Sequence, residues 1–361
     1  MYFDSKNITY LSLGAHLLGG GGGGQRARGL KTANEALTIG KVELKELDEL
    51  SPDDIVVTIS GVGAPSKKEA MYTSQHYLRA LELLETQLDR PIAGFIPSEM
   101  GASAAFGPFI AAAAKGLPVI NTACDGRAHP LGTMGALGLD KNPSFETIQA
   151  ACGGKKENGT YIEILSRGNI RSVSKASLMA AQLAGGLTTV VRNPINAAYL
   201  KEHSAVGCYK KAMEIGQAIS IANTPMEKAN SAMKLLGGTV ICEGIISTYE
   251  LITEGGLDHG RCTVMSKHDE YTLHFYNEYM ALEHAGKRIG TFPDLIATID
   301  ASTGTPLLTA EIAQGREVIV LLAPKERLIL ASGIRQPQDY KSIENILGIP
   351  MLKYISDIMM L

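Results

Sequence analysis

Apolar positions at helical spacing run from Ile8 to Leu18, stop at six consecutive glycines, Gly19 to Gly24, and resume from Gln25 to Ile39. This predicts two helices joined by a loop of unusual backbone freedom. Asp53 to Ile59 is a β-branched apolar run closed by Gly61-Val62-Gly63-Ala64-Pro65, the pattern of a buried strand and its turn. Ser66 and Glu69 have the spacing of a capping box, so a helix is expected from Lys67, with Leu78, Leu81, Leu84 and Leu88 as its core stripe. Pro91 to Ile96 predicts the next strand, Ala102 to Lys115 the next helix, and Val119 a further strand. Such alternation is the pattern of a mostly parallel sheet covered by helices.

From Ser174 to Gly237 the spacing turns helical almost throughout, with apolar stripes at Leu178 to Leu183, Ile195 to Leu200, Met213 to Ile221 and Met226 to Leu236. After Gly237-Gly238 short alternating segments follow: Thr239 to Thr248, Arg261 to Ser266, Tyr271 to Tyr276, Arg288 to Thr291, Leu295 to Ile299 and Glu317 to Leu322. Helices are expected again near Asp339 to Leu347 and Leu352 to Met360. The fold class expected is therefore α/β, a mostly parallel sheet covered by helices and followed by a β-rich second domain. The domains are placed at residues 1–165 and 166–361, the latter helical to about 237.

The densest chemistry lies between Val119 and Gly135, where Cys124, Asp125, Arg127 and His129 fall within six residues after a strand. Loops at strand carboxyl ends line the ligand crevice of α/β layers. Asp125 and His129 are ligand types for a divalent metal such as zinc, or could activate water without one. Glu99, in Pro97-Ser98-Glu99-Met100-Gly101 at another strand end, is a candidate metal ligand or proton-exchanging base, with a charge stabilised by the next helix's N-terminus as the alternative. Arg127 has the planar fork for a substrate carboxylate or carbonyl, with an ion pair to Glu99 or Asp125 as the alternative. Cys124 would be a nucleophile only with a lowered pKa and is otherwise an inert core thiol. Gly22 and Gly23 would let the main chain approach a ligand, and Asn277 and Glu278 would reach the cleft from the second domain.

A formal net charge of -3 leaves no basic field for nucleic acid or an anionic membrane. The five cysteines are odd in number and scattered, and the N-terminus lacks the basic flank of a secretory signal, so a cytoplasmic protein is expected. No apolar run nears the roughly twenty residues of a membrane span. The expected partner is a small molecule, with no nucleic acid, no membrane and no nucleotide cofactor, since no Walker lysine follows the glycines; homo-oligomer formation is left open.

The glycine run, Gly61-Val62-Gly63-Ala64-Pro65, Glu99-Met100-Gly101, Gly126-Arg127-Ala128-His129-Pro130, Asn277-Glu278 and Pro293-Asp294-Leu295-Ile296 with Asp300 together resemble the S-methyl-thiohydantoin desulfurase family, associated with hydantoin utilisation, over nearly the whole chain. The resemblance implies an N-terminal α/β domain, a second domain rich in β structure, and hydrolysis at the ring carbon between the two nitrogens with release of a thiol. Commoner members carry acidic residues where this chain has Asn121 and Ala123, so the resemblance leaves substrate and metal open. The alternative is a non-catalytic metabolite-binding or regulatory protein that holds an anionic ligand at the glycine-rich segment, beside Arg26 and Arg28.

Overall fold

The structure is a computed structural model that describes residues 1–63, 72–254, 257–267 and 269–356. The Ser66 to Glu69 capping box, the helix start at Lys67 and the end of the last helix at Met360 lie outside the described residues.

Helix α1, Ser5–Leu18, starts where the Asp4 side chain accepts from the Asn7 amide at 2.7 Å and the Asn7 side chain returns to the Asp4 amide, a reciprocal cap that satisfies two otherwise unpaired donors. Helix α2, Arg26–Ile39, follows the glycine loop and has no side-chain cap. The chain then lays down β1 (Leu44–Lys45), β2 (Ile55–Gly63), α3 (Ser74–Glu85), β3 (Ile92–Pro97), α4 (Phe109–Lys115) and β4 (Val119–Ile120). Helix α4 is shorter than its apolar pattern suggests, because Pro108 and Gly107 confine residues 104–106 to a separate turn. Next come β5 (Glu146–Gly153), β6 (Ile162–Asn169), α5 (Ile170–Leu183), β7 (Leu187–Asn196), α6 (Ala197–His203), α7 (Cys208–Ile221) and α8 (Pro225–Leu236).

The first sheet has the order β1-β4-β3-β2-β7-β5-β6. Strands β1, β4, β3 and β2 are parallel, and β7, β5 and β6 continue the sheet in antiparallel fashion. Strand β7 corrects the reading of residues 174–237 as almost wholly helical. Leu187 to Arg192 are all buried at the centre of this sheet, and a strand covered on both faces shows a continuous apolar run that period alone does not separate from a buried helix.

The second sheet is wholly antiparallel: β8 (Thr239–Glu254), β9 (Leu257–Ser266), β10 (Asp269–Tyr276), β11 (Glu278–His284), β12 (Lys287–Thr291), β13 (Leu295–Asp300) and β14 (Glu317–Ala323), in the order β12-β11-β10-β9-β8-β14-β13. Helix α9, Pro337–Leu347, follows. The expected α/β region and β-rich region are thus both present. Buried residues of α7 and α8 share one core with Leu295, Ile299, Ile319 and Leu321 of the second sheet, so the helical segment ties the two layers together. Among the described residues no helix is long and apolar enough to cross a membrane.

Candidate functional site

An open cleft of about 500 Å³ lies between the two sheets, lined by the glycine loop, the ends of β2 and β3, the loop after β4, one side of α5, and two turns of the second sheet. The glycine loop is its most crowded wall. A Cβ on Gly22 would stand 1.9 Å from the Glu278 carboxylate, and one on Gly23, at φ +76°, would stand 2.4 Å from the Gly101 backbone, contacts no side chain survives. The loop's carbonyls are used as well: that of Gly20 accepts from the Tyr279 amide at 2.8 Å, that of Gly21 from the Thr309 amide at 2.8 Å, and that of Gly23 from the Ser103 amide at 2.9 Å. Both domains therefore grip the same six residues.

Of the residues singled out in the sequence, Gly22, Gly23, Glu99, His129, Asn277 and Glu278 line the cleft. Glu99 follows β3, and its Oε2 accepts from the His129 amide at 3.2 Å, with the His129 Nε2 at 3.6 Å. Burial pushes the Glu99 carboxyl up to about 7 against the pull of that amide, of Arg192 and of Arg127. Burial and then Arg192 push the His129 imidazole down to about 4, so it is neutral at physiological pH. Glu278 starts β11. Burial and the charge of Glu99 hold its carboxyl well above the usual range, while Arg127 and the Gly23 amide pull the other way. Asn277, at φ +55°, turns β10 into β11; its side chain accepts from the Asp258 amide at 2.9 Å, and its carbonyl accepts from the Thr309 hydroxyl at 2.6 Å.

Asp125 and Arg127 are placed differently from the sequence expectation. Both are fully buried and neither lines the cleft. Asp125 Oδ1 accepts from the amides of Gly126 at 2.9 Å and Ala331 at 3.0 Å, and so ties the loop to the C-terminal segment. The Arg127 Nη1 donates to the carbonyls of Pro293 at 3.0 Å and Asp294 at 2.5 Å, its Nε donates to Ala128 O at 3.2 Å, and its guanidinium lies 4.4 Å from the Phe292 ring centre. The expected ion pair of Arg127 with Glu99 or Asp125 is not formed: Nε and Nη1 are taken by carbonyls, and the buried Nη2 has no hydrogen-bond partner among the described residues. Asp125 does not line the cleft that His129 lines, and among the described residues no three His, Cys, Asp or Glu are grouped to hold a metal ion. Cys124 is a core thiol 3.2 Å from the Thr58 hydroxyl, pushed up to about 11 by burial, which leaves almost no thiolate for nucleophilic attack at neutral pH.

Asp125→Asn keeps an oxygen for both amides and removes a carboxyl that burial pushes to about 7. An acid whose folded pKa is raised costs stability as pH climbs from its unfolded value of about 4. Thermal melts should therefore show the Asn variant gaining on the parent between about pH 4 and the folded pKa, with turnover retained. Loss of turnover in a folded variant would return Asp125 to the chemistry.

Sequence reasoning overlooked Arg192. It sits on β7 opposite Thr58 of β2 and Gln149 of β5, is 5% exposed, lines the cleft, and has a buried Nε without a partner among the described residues. A lone arginine directly after Leu187-Thr188-Thr189-Val190-Val191 was the available signal, since arginine is almost never fully buried unpaired.

Compared with known proteins, residues 6–159 match the S-Me-THD-like N-terminal domain and residues 169–334 the S-Me-THD-like C-terminal domain. No curated protein gives a match. The fold is similar to the crystal structure of a protein from Chromobacterium violaceum, a structural-genomics target, at 19% identity and a TM-score of 0.72, over 96% of either chain. At that identity the likeness speaks for the fold.

Proposed function

The chain belongs to the S-Me-THD-like family, and from that membership we propose that it is a hydrolase of five-membered cyclic thio-amides or amides, S-methyl-thiohydantoin or a hydantoin-like ring, releasing a thiol. One observation carries the reading: two carboxyls, one from each domain, face a single cleft with both pKa values raised, as acid and base catalysis at neutral pH requires. Glu99 is the base. It takes a proton from water as the oxygen bonds to the ring carbon between the two nitrogens, and returns that proton to the ring nitrogen. Glu278, neutral, gives its proton to sulfur as the carbon–sulfur bond breaks, and is reprotonated by the hydroxyl that becomes the ring carbonyl. The His129 amide fixes Glu99 Oε2, and its neutral imidazole holds the water beside it.

Thiol release from S-methyl-thiohydantoins, followed with a thiol reagent across pH, tests this. The expected rate rises with pH through about 7 as Glu99 ionises, and falls at higher pH as Glu278 loses its proton. No thiol release from any such ring, with a ring still bound, would favour the metabolite-binding alternative; a profile flat from pH 5 to 9 would remove the carboxyl pair from the mechanism.

A further inference from the structure

We propose that the same cleft holds an anion subsite, built by Arg192 with Arg28 and Lys175, that receives a carboxylate substituent on the ring substrate; this rests on the hydrolase reading and narrows its substrate class to rings derived from acidic amino acids. The three cations come from β7, α2 and α5 and line one cleft. None forms an ion pair with a described residue. For Arg192 that is costly: a guanidinium 5% exposed, with its Nε unsatisfied, has lost water and gained no hydrogen-bonded ion pair. Glu99 is the carboxylate whose charge it feels most among the acids of the cleft, yet no ion pair closes between them, so the fork is left for a ligand.

Arg28 supports the same direction. Its guanidinium is held 5.5 Å from the Tyr72 ring centre, which orients it at the cleft wall without using its hydrogen-bond donors. Helix α2 begins two residues earlier without a side-chain cap, so the positive end of its dipole lies beside Gly24 and Arg28. Arg171, also on the wall, is already engaged by Asp140 at 2.8 Å and is left out of the subsite. A planar, bidentate anion of the size of a carboxylate fits arginine forks better than a spherical ion does.

Calorimetric titration with carboxymethyl-hydantoin and with its carboxamide isostere separates the subsite from catalysis, because binding needs no turnover. The acid is expected to bind roughly tenfold to a hundredfold more tightly than the amide, the range of charge-assisted hydrogen bonds, and added salt should narrow the difference. Arg192→Gln should remove most of it. Arg28→Gln, at a partly exposed position where folding is not at stake, should reduce it several-fold. Equal affinity for acid and amide, or a preference that survives both substitutions, overturns the subsite. Failure of thiol release from any ring, with the acid preference intact, would instead count against the hydrolase alone.

Discussion

Glu99→Gln is expected to lower kcat by about a hundredfold to ten-thousandfold, the usual contribution of a positioned general base. The amide keeps the shape of the carboxyl and an oxygen for the His129 amide, now 3.2 Å away, so the loop after β4 stays in place and the loss reports chemistry. It also removes the group whose charge holds the Glu278 carboxyl up. The acid limb of the pH profile should vanish, and the alkaline limb should move to lower pH, because a neighbour that no longer repels lets Glu278 ionise earlier. That double change separates a base from a residue that merely supports the cleft. A folded Gln variant with the parent's kcat and an unmoved profile would sink the assignment. Glu278→Gln provides the counterpart: the alkaline limb should go, with the acid limb left in place because the Glu99 carboxyl is raised by burial and not by Glu278.

The contrast between Glu99 and its neighbours shows which parts of the site the chain's pattern discloses. Glu99 was legible because a clear strand, Ile92–Pro97, ends two residues before it, and a residue just past the carboxyl end of a parallel strand points into the crevice. Glu278 was legible for a similar reason, following an alternating strand at a turn. Asp125, Arg127 and His129 lie in an irregular loop with no period to decide their directions. There the backbone alone settles that His129 faces the cleft and the other two face the protein. Arg192 stayed hidden because Gly185-Gly186 and Pro194 looked like breaks between helices. Pro194 is tolerated in β7 at its end, where the register with β2 shifts between Val56 and Thr58.

The fold itself was legible where elements were long and amphipathic or alternating, as in α1 and the strands from Thr239 onward. It was less legible in the half of the first sheet made by β5, β6 and β7. There β7, although far along the chain, inserts between β2 and β5, a long-range pairing that local propensity does not encode. The same insertion brings Arg192 to the cleft wall, so the missed strand and the missed cation have one origin.

Arg127→Met is expected to cost about 2–6 kcal/mol of stability, the sum of the Ala128 and Pro293 carbonyls left unsatisfied in the interior at about 1–3 kcal/mol each; the Asp294 carbonyl keeps the Ile296 amide at 3.1 Å. Met retains the apolar stem against Phe292, which isolates the loss to the hydrogen bonds now made to the Ala128, Pro293 and Asp294 carbonyls. The Pro293 and Asp294 carbonyls belong to the second domain and the arginine to the first, so much of the damage should fall on the contact between the domains. Chemical denaturation should show a lowered midpoint, together with a shallower or two-step transition as the halves part company. Removing the cation also withdraws a charge that favours the ionised forms of Asp125, Glu99 and Glu278; the rising limb of the activity profile should therefore shift to higher pH. Arg127→Lys retains the charge but loses the fork, and should keep the pH profile while losing part of the stability. A substrate clamp behaves in the opposite way, with an unchanged denaturation midpoint and a KM raised tenfold or more. That result in either variant would place the guanidinium in the cleft after all.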